Sequence, residues 1–526
     1  GDDRSPSSGG TGTREKDSPA PIYPGAGCFI PASRKRLGSQ VMDDPTRRHM
    51  DKESFRRHGH AVIDWIADFL HDRVDDLPVM SRVAPGEIRD RLPEHPPETG
   101  ESFESMMADL DRIVVPGLTN WQHPNWHGYF PANISGPAIL GDLLSSGMGV
   151  QGMLWSTSPA CTELETHVLD WMAELLDLPG CFRSRPGPGC GVLQDTASSS
   201  SFVTLLAARE RATDWRSNRD GLAAGDERLV AYTSDQAHSS IAKAAKMAGV
   251  GEANLRLVES DERFAMRPDA LERAIELDRD EGRLPFFVCA TLGTTSSVAV
   301  DPLAEIAPIA RRHGLWLHVD AAFAGSAAVC PEFRSMHEGL EEADSYTFNP
   351  HKWLFTNFDC NCTWVRDREP LVRTLTVMPE YLRNAATESG EVIDYRDWQV
   401  PLGRRFRALK LWFVLRHYGA EGLRELIRHH VALARTFESL VDAHPLLEVS
   451  TPRNLSLVCF HHVDGEEATR AMLEGCNATG RMFMTHTRLG DRYVARLSIG
   501  QSRITEEHLR NAWAIIEEQA SASRTP

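Results

Sequence analysis

The sequence predicts an α/β protein: a mixed, mostly parallel central sheet with helices on both faces, an N-terminal helical segment, and a smaller C-terminal α+β domain. Two observations carry this. Short apolar runs at 228–232, 285–289, 315–319 and 345–348 alternate with amphipathic helical patterns, as expected of buried strands joined by crossover helices. The chain has 526 residues, 41% hydrophobic and 25% charged, a globular composition with material for more than one core.

In chain order, residues 1–49 are rich in Gly, Ser, Pro and charge without periodicity. They are expected to form a disordered leader, with Met42 and Met50 as candidate natural starts. Phe55, Val62, Ile63, Ile66, Phe69 and Leu70 then recur at helical spacing. A Pro-rich connection (Pro93, Pro96, Pro97) precedes a second helical stretch over 103–113. The segment 50–135 is too short and one-sided to stand alone and is expected to lie across a partner subunit. Residues 136–409 hold the alternating strands and form the large domain. In 410–526 the smaller domain follows, with helical patterns at 409–418, where it begins, and at 422–440, strands near 455–460 and 492–498, and a closing helix over 506–520. No internal repeat is evident.

The 57 basic against 74 acidic residues give a net charge of −17, which argues against a general nucleic-acid binder. No run approaches 18 uninterrupted apolar residues, and the N-terminus has no apolar signal region. The expectation is a cytoplasmic protein without membrane contact. Ten cysteines without CxxC pairs read as reduced thiols. Lysine is rare: seven residues against fifty arginines, a skew typical of a GC-rich bacterial genome. It shortens the list of candidates for amine chemistry.

Several motifs have plain explanations. Gly147-Met-Gly-Val-Gln-Gly152 matches GxGxxG, but the stretch before it reads as a helix rather than the strand a dinucleotide site requires. The pairs His429-His430 and His461-His462 lack ligand spacing and are expected at the surface, and no metal site is expected. Cys360-Asn-Cys362 alternates like a structural strand.

Three elements combine into something sharper. Asp320 ends the apolar run 315–319, at the strand end where open α/β sheets bind ligands. Asn349-Pro-His-Lys-Trp353 follows the next strand, and Lys352 is the only lysine between Lys246 and Lys410. Gln194-Asp-Thr-Ala-Ser198 opens a helical pattern, a position suited to an anion. A lysine able to form a Schiff base, a carboxylate to pair with a pyridinium, and a helix N-terminus for a phosphate are the parts of a pyridoxal 5′-phosphate (PLP) site.

With these residues in view, the chain resembles the group II PLP-dependent decarboxylases, most closely the aromatic-L-amino-acid decarboxylases. The resemblance is carried by Asn120-Trp-Gln-His-Pro124, Gly128-Tyr-Phe-Pro131, Ala237-His-Ser-Ser240, Ala290-Thr-Leu-Gly-Thr-Thr295, His318-Val-Asp-Ala-Ala322, Asn349-Pro-His-Lys-Trp353, Asn357-Phe-Asp-Cys360 and Pro401-Leu-Gly-Arg-Arg-Phe406. It runs from about Met50 to about Ala520. It implies PLP fold type I, the aspartate-aminotransferase-like architecture, in a homodimer with active sites at the subunit interface. By the same resemblance Lys352 is the Schiff-base lysine and Asp320 the partner of the pyridine nitrogen. His238 stacks on the ring and orients the substrate carboxylate, and Ala322 packs on the opposite face. Thr196, Ala197, Ser198, Asn349 and His351 hold the phosphate, with Thr295 nearby. Trp121, Tyr129, Phe130 and Pro131 wall the side-chain pocket. Tyr381, in a loop with Gly390 as a hinge, returns a proton to Cα.

Departures from the family pattern bear on the substrate. Ala132 stands where animal enzymes have a Thr, Met153 where they have a Phe, and Asn133 offers a replacement hydrogen bond. Gly403 goes with indolic substrates in the plant branch. The expectation is decarboxylation of an aromatic L-amino acid, with Trp or Phe preferred over Dopa or Tyr. The alternatives are an aldehyde synthase of the same family, which usually carries Phe at the Tyr381 position, and a decarboxylase of a non-aromatic amino acid.

Overall fold

The structure, a computed structural model, describes residues 45–185, 187–379, 382, 384–389 and 391–523. Most of the expected leader, and both Tyr381 and Gly390, lie outside the described residues. The chain divides into two compact units, 1–61 and 62–526. In the first, the Asp51 carboxylate accepts the amides of Glu53 and Ser54, each at 2.9 Å, and so starts a helix at Lys52.

The second unit is built on a seven-stranded sheet. Its strands are β1 (Cys190–Gln194), β2 (Arg228–Ser234), β3 (Leu255–Val258), β4 (Arg283–Thr291), β5 (Trp316–Asp320), β6 (Ser345–Phe348) and β7 (Asn361–Val365). The order is β1-β7-β6-β5-β4-β2-β3, with β7 antiparallel to both neighbours and the remaining pairs parallel. Alternate residues enter opposite cores. Val230, Tyr232, Val288, Ala290, Leu317 and Val319 pack into one, while Leu229, Ala231, Phe287, Cys289 and Trp316 pack into the other. A strand with both faces buried has no polar side to show, which is why these segments read as continuous apolar runs. β1 and β3 gave no such signal. β1 includes Gly191, where an added Cβ would lie 2.7 Å from the Trp364 indole nitrogen, so close packing there excludes a side chain.

The long helix Arg407–Ala443 breaks at Gly419 (φ 62°, ψ 175°), between the two helical patterns read from the sequence. Beyond it, β8 (Leu447–Val449), β9 (Leu457–His462), β10 (Thr485–Leu489) and β11 (Arg492–Ser498) form an antiparallel sheet in the order β10-β11-β9-β8. A third core of Phe437, Phe460, Met472 and Ile516 lies on it. The helix Gly136–Met148 precedes Gly149, so the GxGxxG segment follows a helix, as expected. The histidine pairs are a correction. His430, His461 and His462 are buried rather than on the surface: His430 lies on the core face of its helix while His429 lies on the exposed face, and β9 is covered on both faces, so both of its histidines are buried. The nine described cysteines are free thiols. Among the described residues no helix is long and apolar enough to cross a membrane.

Candidate active site

The C-terminal ends of β2, β4, β5 and β6 converge with a helix N-terminus around a cavity of about 220 Å³. Every residue expected around the cofactor lines it: Thr196, Ala197, Ser198, His238, Thr295, Asp320, Ala322, Asn349, His351 and Lys352. Thr196 is the N-cap of the helix Ala197–Ala212, and its hydroxyl makes no capping bond. The first-turn amides are therefore left available to an anion. Asp320 closes β5 and accepts the Ala322 amide at 2.9 Å. Lys352 sits in the short helix Pro350–Trp353 directly after β6.

The electrostatics follow from burial. The Lys352 ammonium lies 5.4 Å from the Phe130 ring centroid and makes no hydrogen bond or ion pair among the described residues. Burial pulls its pKa below 10.5, while the Asp320 charge pulls it back up. The His238 Nδ1 accepts the Ser240 amide at 3.1 Å and so caps the helix Ser239–Met247, which leaves the imidazole proton on Nε2. Burial and the nearby Lys352 charge lower its pKa, against the opposing pull of Asp320. The His351 Nδ1 accepts the Cys360 amide at 2.9 Å, and burial drives its pKa down to about 3. Both rings are neutral near pH 7.

Five lining residues carried no expected role: Ser240, Thr291, Gly293, Phe323 and Phe358. Four of them stand inside the motifs quoted above. Phe323 directly follows one, so contiguity with Ala322 was its only signal. The glycine at 293 (φ 88°) is required, since a Cβ there would meet the Ala324 Cβ at 2.7 Å. Behind Thr291, the buried Asp301 carboxylate accepts the Thr291 and Met266 amides, both at 2.7 Å.

Of the residues expected to wall the side-chain pocket, Phe130 lines this cavity. It stacks on Phe323 (4.0 Å), which stacks on Trp353 (4.8 Å). Trp121 and Tyr129 form a separate aromatic cluster with Trp126 and Phe483. Pro131 packs against Gly500, and the Ala132 carbonyl accepts the Gln122 amide at 2.7 Å. Met153 and Gly403 lie outside the cavity lining, on two segments joined where Gly152 donates to the Arg404 carbonyl and Gln151 accepts the Arg404 amide. Asn133 is a correction. Its fully buried amide donates to the Gly500 carbonyl (2.6 Å) and accepts the Phe355 amide (3.2 Å), so both of its ends hold backbone rather than face the cavity.

Residues 85–463 match the pyridoxal-dependent decarboxylase conserved domain. The chain belongs to this family. The decarboxylase is 46% identical over 482 residues to phenylacetaldehyde synthase of Arabidopsis thaliana, covering 90% of this chain and 97% of that protein. It is 45% identical over 481 residues to tyrosine decarboxylase 2 of Narcissus pseudonarcissus, covering 90% and 95%. Among solved structures, Oryza sativa TDC with PLP and tryptamine matches with a TM-score of 0.87 at 43% identity, over 90% of this chain and 99% of that one. The chain is thus a carboxy-lyase whose cofactor is PLP. The cavity fits that group: uncapped helix amides for a phosphate, a carboxylate at a strand end, and a buried amine with no hydrogen bond or ion pair among the described residues.

Proposed function

We propose that this decarboxylase converts an aromatic L-amino acid to its arylalkylamine and carbon dioxide. The observation that carries the reading is the Lys352 amine, without a hydrogen bond or ion pair among the described residues, set beside Asp320 and the aromatic ring of Phe130 in one cavity. PLP bound there supplies an aldehyde that condenses with amines and a ring that accepts the electron pair released when carbon dioxide leaves. Lys352 is the group that holds the aldehyde, since burial raises its share of neutral amine. Asp320 holds a proton at the ring nitrogen. The amides at 197–198 and the Asn349 side chain hold the phosphate. His238 presents an Nε2–H donor that orients the substrate carboxylate. Tyr381 delivers the proton that replaces carbon dioxide at Cα.

A preference for Trp or Phe over Dopa or Tyr belongs to the same reading. It is supported by Ala132, which offers no hydroxyl, by Asn133, whose amide is spent on the backbone, and by Gly403. A homodimer with active sites at the interface is also part of it. Leu140, Leu143, Leu144 and Met148 leave an exposed apolar row on the helix Gly136–Met148, and the segment 50–135 would lie across the partner. The deciding experiment gives the purified holoenzyme a panel of Trp, 5-hydroxytryptophan, Phe, Tyr, Dopa, His and Glu. Carbon dioxide, amine, aldehyde and peroxide are quantified in air. Amine from the aromatic substrates is expected. Aldehyde with peroxide as the main products would establish an aldehyde synthase instead, an outcome given weight by the phenylacetaldehyde synthase relative. Turnover confined to His or Glu would overturn the aromatic reading.

A further inference from the structure

The anion-binding end of the cavity is organised from behind by Asn361, the first residue of β7. It does not line the cavity. Its side chain sits in a closed polar cluster in which Ser200, Thr347, Asn361 and Thr363 have no exposed surface. The Asn361 Oδ1 accepts the hydroxyls of Ser200 (2.5 Å), on the helix that begins at Ala197, and of Thr363 (2.8 Å). The two N–H groups of the Asn361 Nδ2 face three acceptors, the Thr347 hydroxyl (2.8 Å), the Phe348 carbonyl (3.0 Å) and the Asn349 Oδ1 (2.7 Å), so two of these share one N–H.

This arrangement permits one orientation of two amides. A backbone carbonyl can only accept, so the Asn361 atom facing Phe348 must be its nitrogen. The Asn349 atom 2.7 Å from that nitrogen must then be an oxygen. The N–H₂ end of Asn349 is consequently turned away from the cluster. It has no partner among the described residues, and Asn349 lines the cavity together with Thr196, Ala197 and Ser198. Left to itself, a terminal amide turns about its last bond between two similar states. One of them would set a carbonyl oxygen against a phosphate.

We infer that Asn361 is a positioning residue for the cofactor phosphate: it locks Asn349 with its donor end toward the anion, and through Ser200 it ties the same lock to the helix that supplies the amide donors. The inference rests on the reading of this cavity as the PLP site with its phosphate at 196–198. Asn361→Asp preserves size but exchanges the donor end for a second acceptor, so that Asn349 is drawn to turn its N–H₂ inward and its oxygen toward the phosphate.

The test compares PLP with pyridoxal, which lacks the phosphate, in titrations of the parent apoenzyme and its variants, and records the ³¹P resonance of bound PLP. Asn361→Asp should weaken PLP by about tenfold or more, as expected for losing a charge-assisted donor, leave pyridoxal within about twofold, and move the ³¹P line. In an Asn349→Ala background the same change should cost PLP less than about twofold, because the two residues act as one unit. Should the Asp variant fail to fold, Asn361→Ser is too short to hold Asn349 and should give the same pattern with a smaller loss. Equal losses for PLP and pyridoxal, or an equal penalty with and without Asn349, would overturn the role of Asn361. A parent enzyme that binds PLP no more tightly than pyridoxal would instead overturn the placement of the phosphate.

Discussion

Asp320 shows how one side chain divides its duties. One carboxylate oxygen accepts the Ala322 amide, which an Asn carbonyl oxygen would do equally well. The charge is the part a substitution removes. Asp320→Asn should therefore leave the melting temperature nearly unchanged while carbon dioxide release falls on the order of 10²-fold or more, the scale of losing one preorganised electrostatic partner. Near-normal rates would remove Asp320 from the proposed chemistry. His238 sets a pH expectation. Its pKa is lowered by burial and by Lys352, so the neutral ring persists below pH 6.5. The acid limb of kcat/KM should fall there and should move in His238→Gln. For Tyr381 the expectation comes from the sequence reading alone. Tyr381→Phe fills the same space without a proton to give, so it should keep carbon dioxide release and shift product from amine toward aldehyde with oxygen uptake. Amine as the main product of that variant would transfer the proton-donor role elsewhere.

Elements position these residues through joints invisible in any single segment. Lys352 is followed by Trp353, which stacks on Phe323 and donates its indole N–H to the His430 Nδ1 at 2.9 Å. The site is thereby tied to the helix Arg407–Ala443. Trp353→Phe would strand a buried acceptor, so it should cost about 1–3 kcal/mol in urea unfolding. His430→Leu, made in the same background, should add less than it does alone. A second joint is the pairing of the 151–153 segment with 403–404. A Cβ at Gly403 would lie 3.3 Å from the Gln151 amide nitrogen, and Gln151 holds the Arg404 amide. Gly403→Ser should disturb this pair and lower indolic turnover relative to phenolic turnover across the substrate panel. An unchanged ranking would separate Gly403 from substrate choice.

At the scale of the whole molecule, acid should destabilise the fold. Burial pushes the pKa of His127, His318 and His337 down to about 4, and that of His351 and His430 to about 3. Once unfolded, each would titrate near 6.5. Between these limits the unfolded chain binds protons that the folded chain refuses, so stability declines as pH falls from 6.5 toward 4. Each histidine contributes up to about 1.4 kcal/mol per pH unit. Asp301 works in the opposite sense. Burial raises its pKa to about 7, so its penalty is relieved as pH falls from 7 toward the unfolded value of 3.8. Five groups outweigh one. Melting scans at pH 8, 7, 6 and 5 should show a steady loss below about 6.5, and a flat profile would mean that these histidines are charged in the folded chain.

The architecture and the grouping of the cavity-lining residues were legible because their signals are local. A strand buried on both faces is a continuous apolar run, and a ligand site at strand ends places Asp320 and the 349–352 string directly at the ends of such runs and His238 four residues beyond the end of β2. The same locality explains what was missed. β3 is a short strand, Leu-Arg-Leu-Val, without the uninterrupted apolar run that marks the inner strands. His430 and His462 look like surface residues until a helix or strand face is assigned to the core. Asn133 looks available until its two backbone partners arrive from 222 and 367 residues away. Asn361 looks like part of a plain strand until Ser200 arrives from 161 residues away. The sequence by itself determined which segments are strands with buried faces and which strand ends carry an amine, a carboxylate and anion donors, because hydrophobic period and strand-end chemistry are written in neighbouring residues. Only the tertiary structure decided which buried polar groups are spent on one another and which remain free for a ligand, because a hydrogen bond depends on a partner's position in space and leaves no period along the chain.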